Sequence, residues 1–309
     1  MSAQERRGAE AAETLHPGVG AQLRTTLEMI KFSHTLFALP FALLSAALAA
    51  EGIPRLSVLL KILAAMVGAR SAAMAHNRLV DREIDAANPR TATRALPAGK
   101  LSVAFVRVFF IASIAVFLAA AASLNRLTLL LSPVALALLL VYAYTKRFTA
   151  ASHLVLGLCL SLAPMGAWIA VRGALDWTPI LLGLAVLVWT AGFDILYSLQ
   201  DEVHDRRAGL KSIPSVLGTR PALVLSAVLH AAMVPLLFAV WKLSGGGALF
   251  AIGVAATAAV LLYQHAILKP GDLSRINTAF FTANGIVSLT LAACGIADVL
   301  VRNGPVARF

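Results

Sequence analysis

Charged residues, and acidic ones above all, are scarce in this sequence. Only 13% of its 309 residues are charged, and Asp and Glu together number 15. A soluble globular domain is typically about 25% charged. The shortage therefore excludes an ordinary soluble protein, and it makes any cluster of carboxylates in this chain informative.

Cysteine is nearly absent as well. Cys159 and Cys294 are the two cysteines, and they lie far apart in sequence, each within an apolar segment. This usage excludes a disulfide-stapled scaffold and a cysteine-rich metal centre, and we interpret both residues as plain buried side chains.

Apolar residues take the place of the missing charge. They make up 59% of the chain, and the mean hydropathy is +0.82. Nine runs approach or reach the length of about 20 residues that spans a hydrocarbon core of about 30 Å. The sequence thus predicts an all-α, polytopic protein of the lipid bilayer, with a mobile polar tail at residues 1–25 and a single transmembrane domain at 26–309. The nine runs cover residues 32–50, 57–75, 103–122, 127–144, 153–171, 179–197, 222–243, 248–265 and 279–301.

The formal net charge of +11 has a topological explanation. When the N-terminus is placed in the cytosol, most Lys and Arg residues near the ends of the nine runs fall on the cytosolic side. This is the distribution that the positive-inside rule describes. The pattern predicts a cytosolic N-terminus and no nucleic-acid partner.

Two acidic segments follow the second and the sixth apolar runs. Asn77, Asp81 and Asp85 are spaced four residues apart, and on a helix such steps turn by only about 40°, which puts the three on one face. Asp201 and Asp205 repeat the spacing on the same side of the membrane.

Crowded carboxylates repel one another, so these segments imply bound cations or basic partners. Mg²⁺ prefers a few carboxylates together with phosphate oxygens and water. We therefore predict that Asp81, Asp85, Asp201 and Asp205 hold Mg²⁺ and a diphosphate, with Asn77 adding a neutral oxygen. Ordinary interfacial salt bridges are the alternative.

Arg70 lies within the membrane, seven residues before Asn77 on the same helical face. Ionisable residues inside a span are functional candidates. We predict a contact with phosphate or with an acidic substrate, and the alternative is a structural pair with a buried Asp.

At these residues the chain resembles the UbiA superfamily of intramembrane prenyltransferases, and within it the bacterial 4-hydroxybenzoate polyprenyltransferase-like branch. The resemblance implies nine helices around a central cavity, capped by cytosolic loops, in the bacterial inner membrane. It implies an enzyme that transfers a polyprenyl group from polyprenyl diphosphate to a hydroxylated aromatic carboxylate for quinone biosynthesis. The matching motifs are Asn77-x3-Asp81-x3-Asp85, Asn88-Pro89-Arg90-Thr91-x2-Arg94, Asp194-x2-Tyr197-x3-Asp201-x3-Asp205 and Gly209-x-Lys211-Ser212.

The resemblance also suggests roles for residues outside the acidic pairs. Diphosphate contacts are expected from cationic side chains, and aromatic faces are expected to stabilise an allylic cation. Asp194 is the candidate for the base that removes the ring proton, or for a group that orients Tyr197. The diphosphate candidates are Arg94, Lys146 and Lys211; the aromatic candidates are Tyr142, Tyr144, Phe193 and Tyr197; the candidates for binding the acceptor carboxylate are Lys31 and His34.

Two other functions are compatible with parts of the pattern. The sequence Lys31-Phe32-Ser33-His34 stands where better-known members carry an Arg-Pro pair, and it also occurs in relatives thought to prenylate a dihydroxynaphthoate for menaquinone. A secondary transporter, too, can place acids and an Arg within a helical bundle. Transporters, however, usually bind near the midplane, whereas these clusters lie at one rim.

Overall fold

The computed structural model describes residues 25, 26, 29, 35–269 and 271–305. The acceptor-binding candidates Lys31 and His34 lie outside these residues, as does nearly all of the predicted N-terminal tail. Helices are numbered here in chain order among the described residues.

The described chain is almost entirely helical, as predicted. A 3₁₀ turn (Leu199–Asp201) precedes α8, and a π-helical turn (Thr278–Ala283) precedes α12. The helices are α1 (Thr35–Ala50), α2 (Leu56–Val80), α3 (Arg82–Ala87), α4 (Val103–Leu124), α5 (Arg126–Thr145), α6 (Ser152–Arg172), α7 (Trp177–Ser198), α8 (Glu202–Arg207), α9 (Ile213–Leu217), α10 (Thr219–Leu243), α11 (Ala248–Ala266) and α12 (Asn284–Asn303).

Eight of the nine predicted runs coincide with helical segments that are long and apolar enough to cross a membrane, and the chain is a multi-pass membrane protein. The first run corresponds to α1, which is apolar but shorter, and its predicted beginning lies outside the described residues. The total of nine spans, their orientation and the central cavity therefore stay predictions.

Short polar connections set the helix ends. Asn125 ends α4 and caps α5 by accepting a hydrogen bond from the Thr128 N–H, and its amide nitrogen donates to the Ile169 carbonyl at the end of α6. Gly173 closes α6 in the left-handed region, at φ 67°. These contacts satisfy backbone groups that would otherwise be left unpaired at helix termini.

Six helices form a closed circuit in which each contacts the next, in the order α1, α6, α7, α10, α11, α12 and back to α1. Their inward side chains form the main core, which is rich in aromatic residues. Helices α2, α4 and α5 contact one another and join the circuit mainly through α6. This arrangement brings the end of α2 and the end of α7, which carry the acidic segments, to the same end of the helical bundle. We call this end the rim.

Close helix packing depends on small residues, because apolar burial alone does not drive association within lipid. Gly157 of α6 faces the α7 backbone so closely that an added Cβ would lie 2.3 Å from the Leu187 carbonyl oxygen. Gly166 of the same helix has open space around it.

We expect Gly157→Ala to lower the thermal unfolding midpoint in detergent, because α6 and α7 must move apart. A destabilisation of about 1–3 kcal/mol is typical of overpacking. Gly166→Ala is the matched control and should melt at or slightly above the wild-type temperature. Equal midpoints for the two variants would contradict this account of the α6–α7 contact.

Candidate functional site

The first acidic segment is helical on both sides of a one-residue break, and the four-residue hydrogen-bond steps from Asn77 to Asp81 and from Asp81 to Asp85 continue across it. Helix α2 ends at Val80, and α3 begins at Arg82. Asp81 lies between them at φ −92° and ψ 7°, in the sparsely populated bridge region. The Asp85 N–H still donates to the Asp81 carbonyl at 2.7 Å, so the helical path continues through a local break.

Asp81 is the most deeply buried carboxylate of this segment, with 1% exposure. Lys146, just after α5, donates to its Oδ2 at 2.6 Å, and Asn77 donates to the same oxygen at 3.2 Å. Arg147 reaches Oδ1 at 3.4 Å and also donates to the Val80 carbonyl at 2.8 Å. The predicted neighbours Asn77, Asp81 and Lys146 are thus brought together.

Asp85 is 3% exposed and lies between two arginines. Arg94 donates to its Oδ1 at 2.6 Å, and an Nη of Arg78 lies 3.5 Å from Oδ2. The Thr91 hydroxyl donates to the Asp85 carbonyl at 2.9 Å and anchors the loop that carries Arg94. Oδ2 itself is buried and accepts no hydrogen bond from the described residues.

Asp201 occupies the corresponding break in the second segment, at φ −102° and ψ 0°, as the last residue of the 3₁₀ turn and the residue before α8. Arg90, from the first loop, donates to both of its carboxylate oxygens. Burial lowers the pKa of Arg90, but the hydrogen-bonded Asp201 carboxylate raises it, and the net shift is upward. Arg90 therefore stays charged and joins the two acidic segments.

Tyr197 lies one turn before Asp201 and contacts both the loop and the core. The Arg90 guanidinium is 5.5 Å from the centroid of its ring, and the ring stacks on Phe280 at 4.1 Å. Phe280 belongs to the π-helical turn, a feature that is frequent at functional sites. Behind it, Phe193 packs against Phe280 at 5.4 Å.

The loop after α8 folds back onto the first segment. The Lys211 N–H donates to the Lys146 carbonyl at 2.8 Å, and the Leu210 N–H donates to the Asp205 carbonyl at 2.9 Å. Lys211 is thus brought to the rim by its backbone, while a contact of its ammonium group with diphosphate stays a prediction.

Asp194 faces a partner that the sequence did not reveal. His153, at the start of α6, places its Nδ1 2.7 Å from Asp194 Oδ2, and its Nε2 lies 3.2 Å from the Ile213 backbone nitrogen. Asp194 does not contact Tyr197 in the described hydrogen bonds, so the idea that it orients Tyr197 gains no support.

The remaining candidates lie deeper or at the edge. Arg70 is partly buried on α2, about 10 Å along the helix axis from Asn77. Tyr142 is partly buried near the end of α5. Tyr144 is exposed and packs edge-on to His76 at 5.6 Å, and it also lies under the Arg147 guanidinium.

Four basic residues that contact an aspartate side chain of the acidic segments were not among the predicted site residues. Arg90 lies inside a quoted motif, so the motif itself could have identified it. The other three carried no signal, because basic residues are common on the cytosolic side of any membrane protein and a lone His has no ligand spacing. They are Arg78, Arg147 and His153.

The fold and this rim define a multi-pass helical membrane protein in which buried carboxylates are paired with arginine and lysine at one end of the bundle. Residues 38–286 match the UbiA prenyltransferase family. The chain belongs to this family of transferases, which confirms the resemblance that the motifs indicated.

Several relatives are similar over most of their length. The 4-hydroxybenzoate octaprenyltransferase of Nitrosospira multiformis is 34% identical over 255 residues, which cover 82% of this chain and 87% of the relative. The protein of the same name from Tolumonas auensis is 32% identical over 250 residues, which cover 81% and 87%.

Solved structures share the fold. An apo UbiA homolog from Aeropyrum pernix K1 superposes with a TM-score of 0.79 and 38% identity, covering 86% of this chain and 98% of that one. A UbiA homolog from Archaeoglobus fulgidus, solved with DMAPP and Mg²⁺, has a TM-score of 0.68 and 23% identity over 90% and 99% of the two chains. At that identity, the second structure supports the fold alone.

Arg90 should hold the loop of residues 88–101 against the second segment. We expect Arg90→Met to speed amide hydrogen exchange in that loop, because both hydrogen bonds to Asp201 are lost. Arg82→Met is the control, since Arg82 pairs only with its exposed neighbour Glu83 in the described contacts. Unchanged exchange in the Arg90 variant would show that the loop is held by other contacts.

Proposed function

We propose that this protein transfers a polyprenyl group from polyprenyl diphosphate to a hydroxylated aromatic carboxylate, with 4-hydroxybenzoate as the favoured acceptor, in the bacterial inner membrane. The observation that carries the proposal is the rim itself. Buried carboxylates and cationic side chains from several segments meet there, and these are the two kinds of group that a metal–diphosphate complex requires. Residues 26–309 would act as one domain, with residues 1–25 as a tail.

The residues present fit Mg²⁺ in their chemistry, although they are not assembled into a finished site. The donors are hard oxygens, and Asp85 Oδ2 is buried and accepts no hydrogen bond from the part of the chain that the structure describes. No cluster of three or more His, Cys, Asp or Glu side chains within metal-binding reach occurs among the described residues. Mg²⁺ usually binds one or two carboxylates together with phosphate oxygens and water, so a site of this kind needs no cluster of protein ligands. The residues that would hold it are Asn77, Asp81, Asp85, Asp201 and Asp205.

Bound Mg²⁺ would neutralise charge on the departing diphosphate. The basic side chains would do the same directly. Lys146, Arg94 and Arg90 each touch a carboxylate at the rim, and each could turn its donors from carboxylate to phosphate over a short distance. Lys211 would add a further charge from the loop that contacts Lys146.

The aromatic side chains at the rim support the carbocation chemistry that follows. Tyr197, Phe280 and Phe193 form a continuous packed series from the rim into the core. Such faces can stabilise an allylic cation, and their packing limits the water that would quench it. The ring carbon beside the acceptor hydroxyl would then attack the allylic carbon, and Asp194 would take the displaced ring proton.

The choice of acceptor rests on the relatives that are named 4-hydroxybenzoate octaprenyltransferase. Arg70, inside the membrane, supplies a cation suited to a carboxylate or a phosphate. Lys31 and His34 are the other proposed contacts for the acceptor carboxylate.

Activity tests the site and the acceptor together. Membranes that contain the protein, Mg²⁺ and a polyprenyl diphosphate should prenylate 4-hydroxybenzoate in preference to a dihydroxynaphthoate when both are present, as read by mass spectrometry of the products. Preferred dihydroxynaphthoate product would move the proposal to menaquinone synthesis. The absence of product with either acceptor would contradict the proposed transferase activity and favour the alternative, a secondary transporter.

Asp81→Asn and Asp201→Asn should each reduce product formation by about 100-fold or more, since losing one electrostatic contact in a catalytic site costs that much. Glu83→Gln is the matched control, because Glu83 lies between Asp81 and Asp85 but its side chain is 88% exposed. We expect near wild-type activity from the control. Full activity in both Asp variants would refute the site.

Metal binding should depend on diphosphate, because the carboxylates are held by basic side chains. Mn²⁺ titrated into the purified protein and followed by electron paramagnetic resonance should bind weakly alone and at least about tenfold more tightly with a non-hydrolysable prenyl diphosphate analogue. Asp81→Asn should abolish the difference, and Glu83→Gln should keep it. Equal affinity with and without the analogue would show that a metal site forms without phosphate.

A further inference from the structure

His153 is buried at the start of α6, with 3% exposure, and both of its ring nitrogens have partners. The Ile213 nitrogen is a backbone N–H and can only donate, so Nε2 at 3.2 Å must accept. Nδ1 then carries the ring proton and donates it to Asp194 Oδ2 at 2.7 Å. The hydrogen-bond pattern thus assigns His153 as a neutral imidazole in a single tautomer.

This arrangement leaves Asp194 anchored on one side and accessible on the other. Its side chain is 23% exposed, although the histidine that holds it is buried. A buried imidazole whose tautomer is fixed by a backbone group gives a carboxylate a defined direction. The same logic applies in sites where a third group orients a catalytic base.

The second partner of His153 connects Asp194 to the acidic rim. Ile213 is the first residue of α9, two residues after Lys211. The Lys211 N–H is bound to the carbonyl of Lys146, the residue that pairs with Asp81. The loop that follows α8, the helix of Asp205, is therefore attached at two nearby points, one to Lys146 and one to His153.

We propose that His153 is a positioning residue for the transfer reaction, which holds the Asp194 carboxylate in the direction needed to accept the ring proton. The proposal rests on the function proposed above, in which Asp194 is that base. Misplacing a catalytic group by about 1 Å can cost about 100-fold in rate. His153 would thus affect turnover without touching either substrate.

Two substitutions separate the two hydrogen bonds of His153. In His153→Asn, the amide nitrogen occupies nearly the position of Nδ1 and can still donate to Asp194, but nothing reaches Ile213. In His153→Gln, the amide oxygen occupies nearly the position of Nε2 and can still accept from Ile213, but the contact with Asp194 is lost. Both side chains are polar and no larger than His, so both variants should fold.

We expect His153→Gln to lower kcat at least about tenfold with little change in KM for the polyprenyl diphosphate, and His153→Asn to stay within about threefold of wild-type kcat. Equal kcat losses in the two variants would overturn the proposal, because the contact with Asp194 would then not be the one that matters. Unchanged kcat in His153→Gln would overturn it as well. Thermal unfolding midpoints of both variants show whether a loss of kcat reflects loss of structure.

A double-mutant cycle tests whether His153 acts through Asp194. Asp194→Asn should lower kcat, and adding His153→Gln to it should lower kcat no further. Independent, multiplicative losses would overturn the positioning role. If Asp194→Asn alone keeps wild-type kcat, Asp194 is not the base, and the positioning role of His153 fails with it. A loss of product formation in Asp81→Asn would in that case still support the proposed transferase site.

Discussion

The rim of this protein depends on one electrostatic constraint, which is that burying an ionised carboxylate is costly unless positive charges and hydrogen-bond donors lie beside it. Asp81 and Asp85 are almost fully buried, and the chain supplies their partners from other segments. Lys146 directly follows α5, and Arg94 lies in the loop after α3. The ion pairs that balance these carboxylates therefore also stabilise the fold of the rim, because each pair joins two separate segments of the chain.

The same constraint explains how the rim could bind a diphosphate. A phosphate group that attracts Lys146 or Arg94 leaves Asp81 or Asp85 with one positive partner fewer, Arg147 or Arg78 alone. This is unfavourable unless a cation takes the vacated place. Metal and diphosphate would then each bind more tightly when the other is present, because each neutralises the charge that the other leaves unpaired. Thermodynamic linkage makes this effect equal in both directions. A rim already balanced by arginine and lysine thus needs no preassembled metal centre.

The sequence predicted the elements of this fold well and their partners poorly, for physical reasons. Apolar length identifies spans because the hydrocarbon thickness sets it, and the four-residue spacing brought Asn77 beside Asp81 as expected. The spacing did not predict the break at Asp81, since the backbone there responds to packing at the rim. Nor could it identify His153 as the partner of Asp194, because that contact joins residues 41 positions apart through tertiary structure alone.

The two acidic segments share a spacing and a backbone conformation at Asp81 and Asp201, yet they are not interchangeable. Asp194 lies seven residues before Asp201, where the first segment has Met74. Arg70 lies eleven residues before Asp81, where the second has the buried Thr190. The two segments thus share a pattern of carboxylates at the rim but differ further along their helices. The first supplies the cation Arg70, and the second supplies the anion Asp194 with its partner His153. Such a division suits a reaction that must hold an acidic substrate at one point and remove a proton at another.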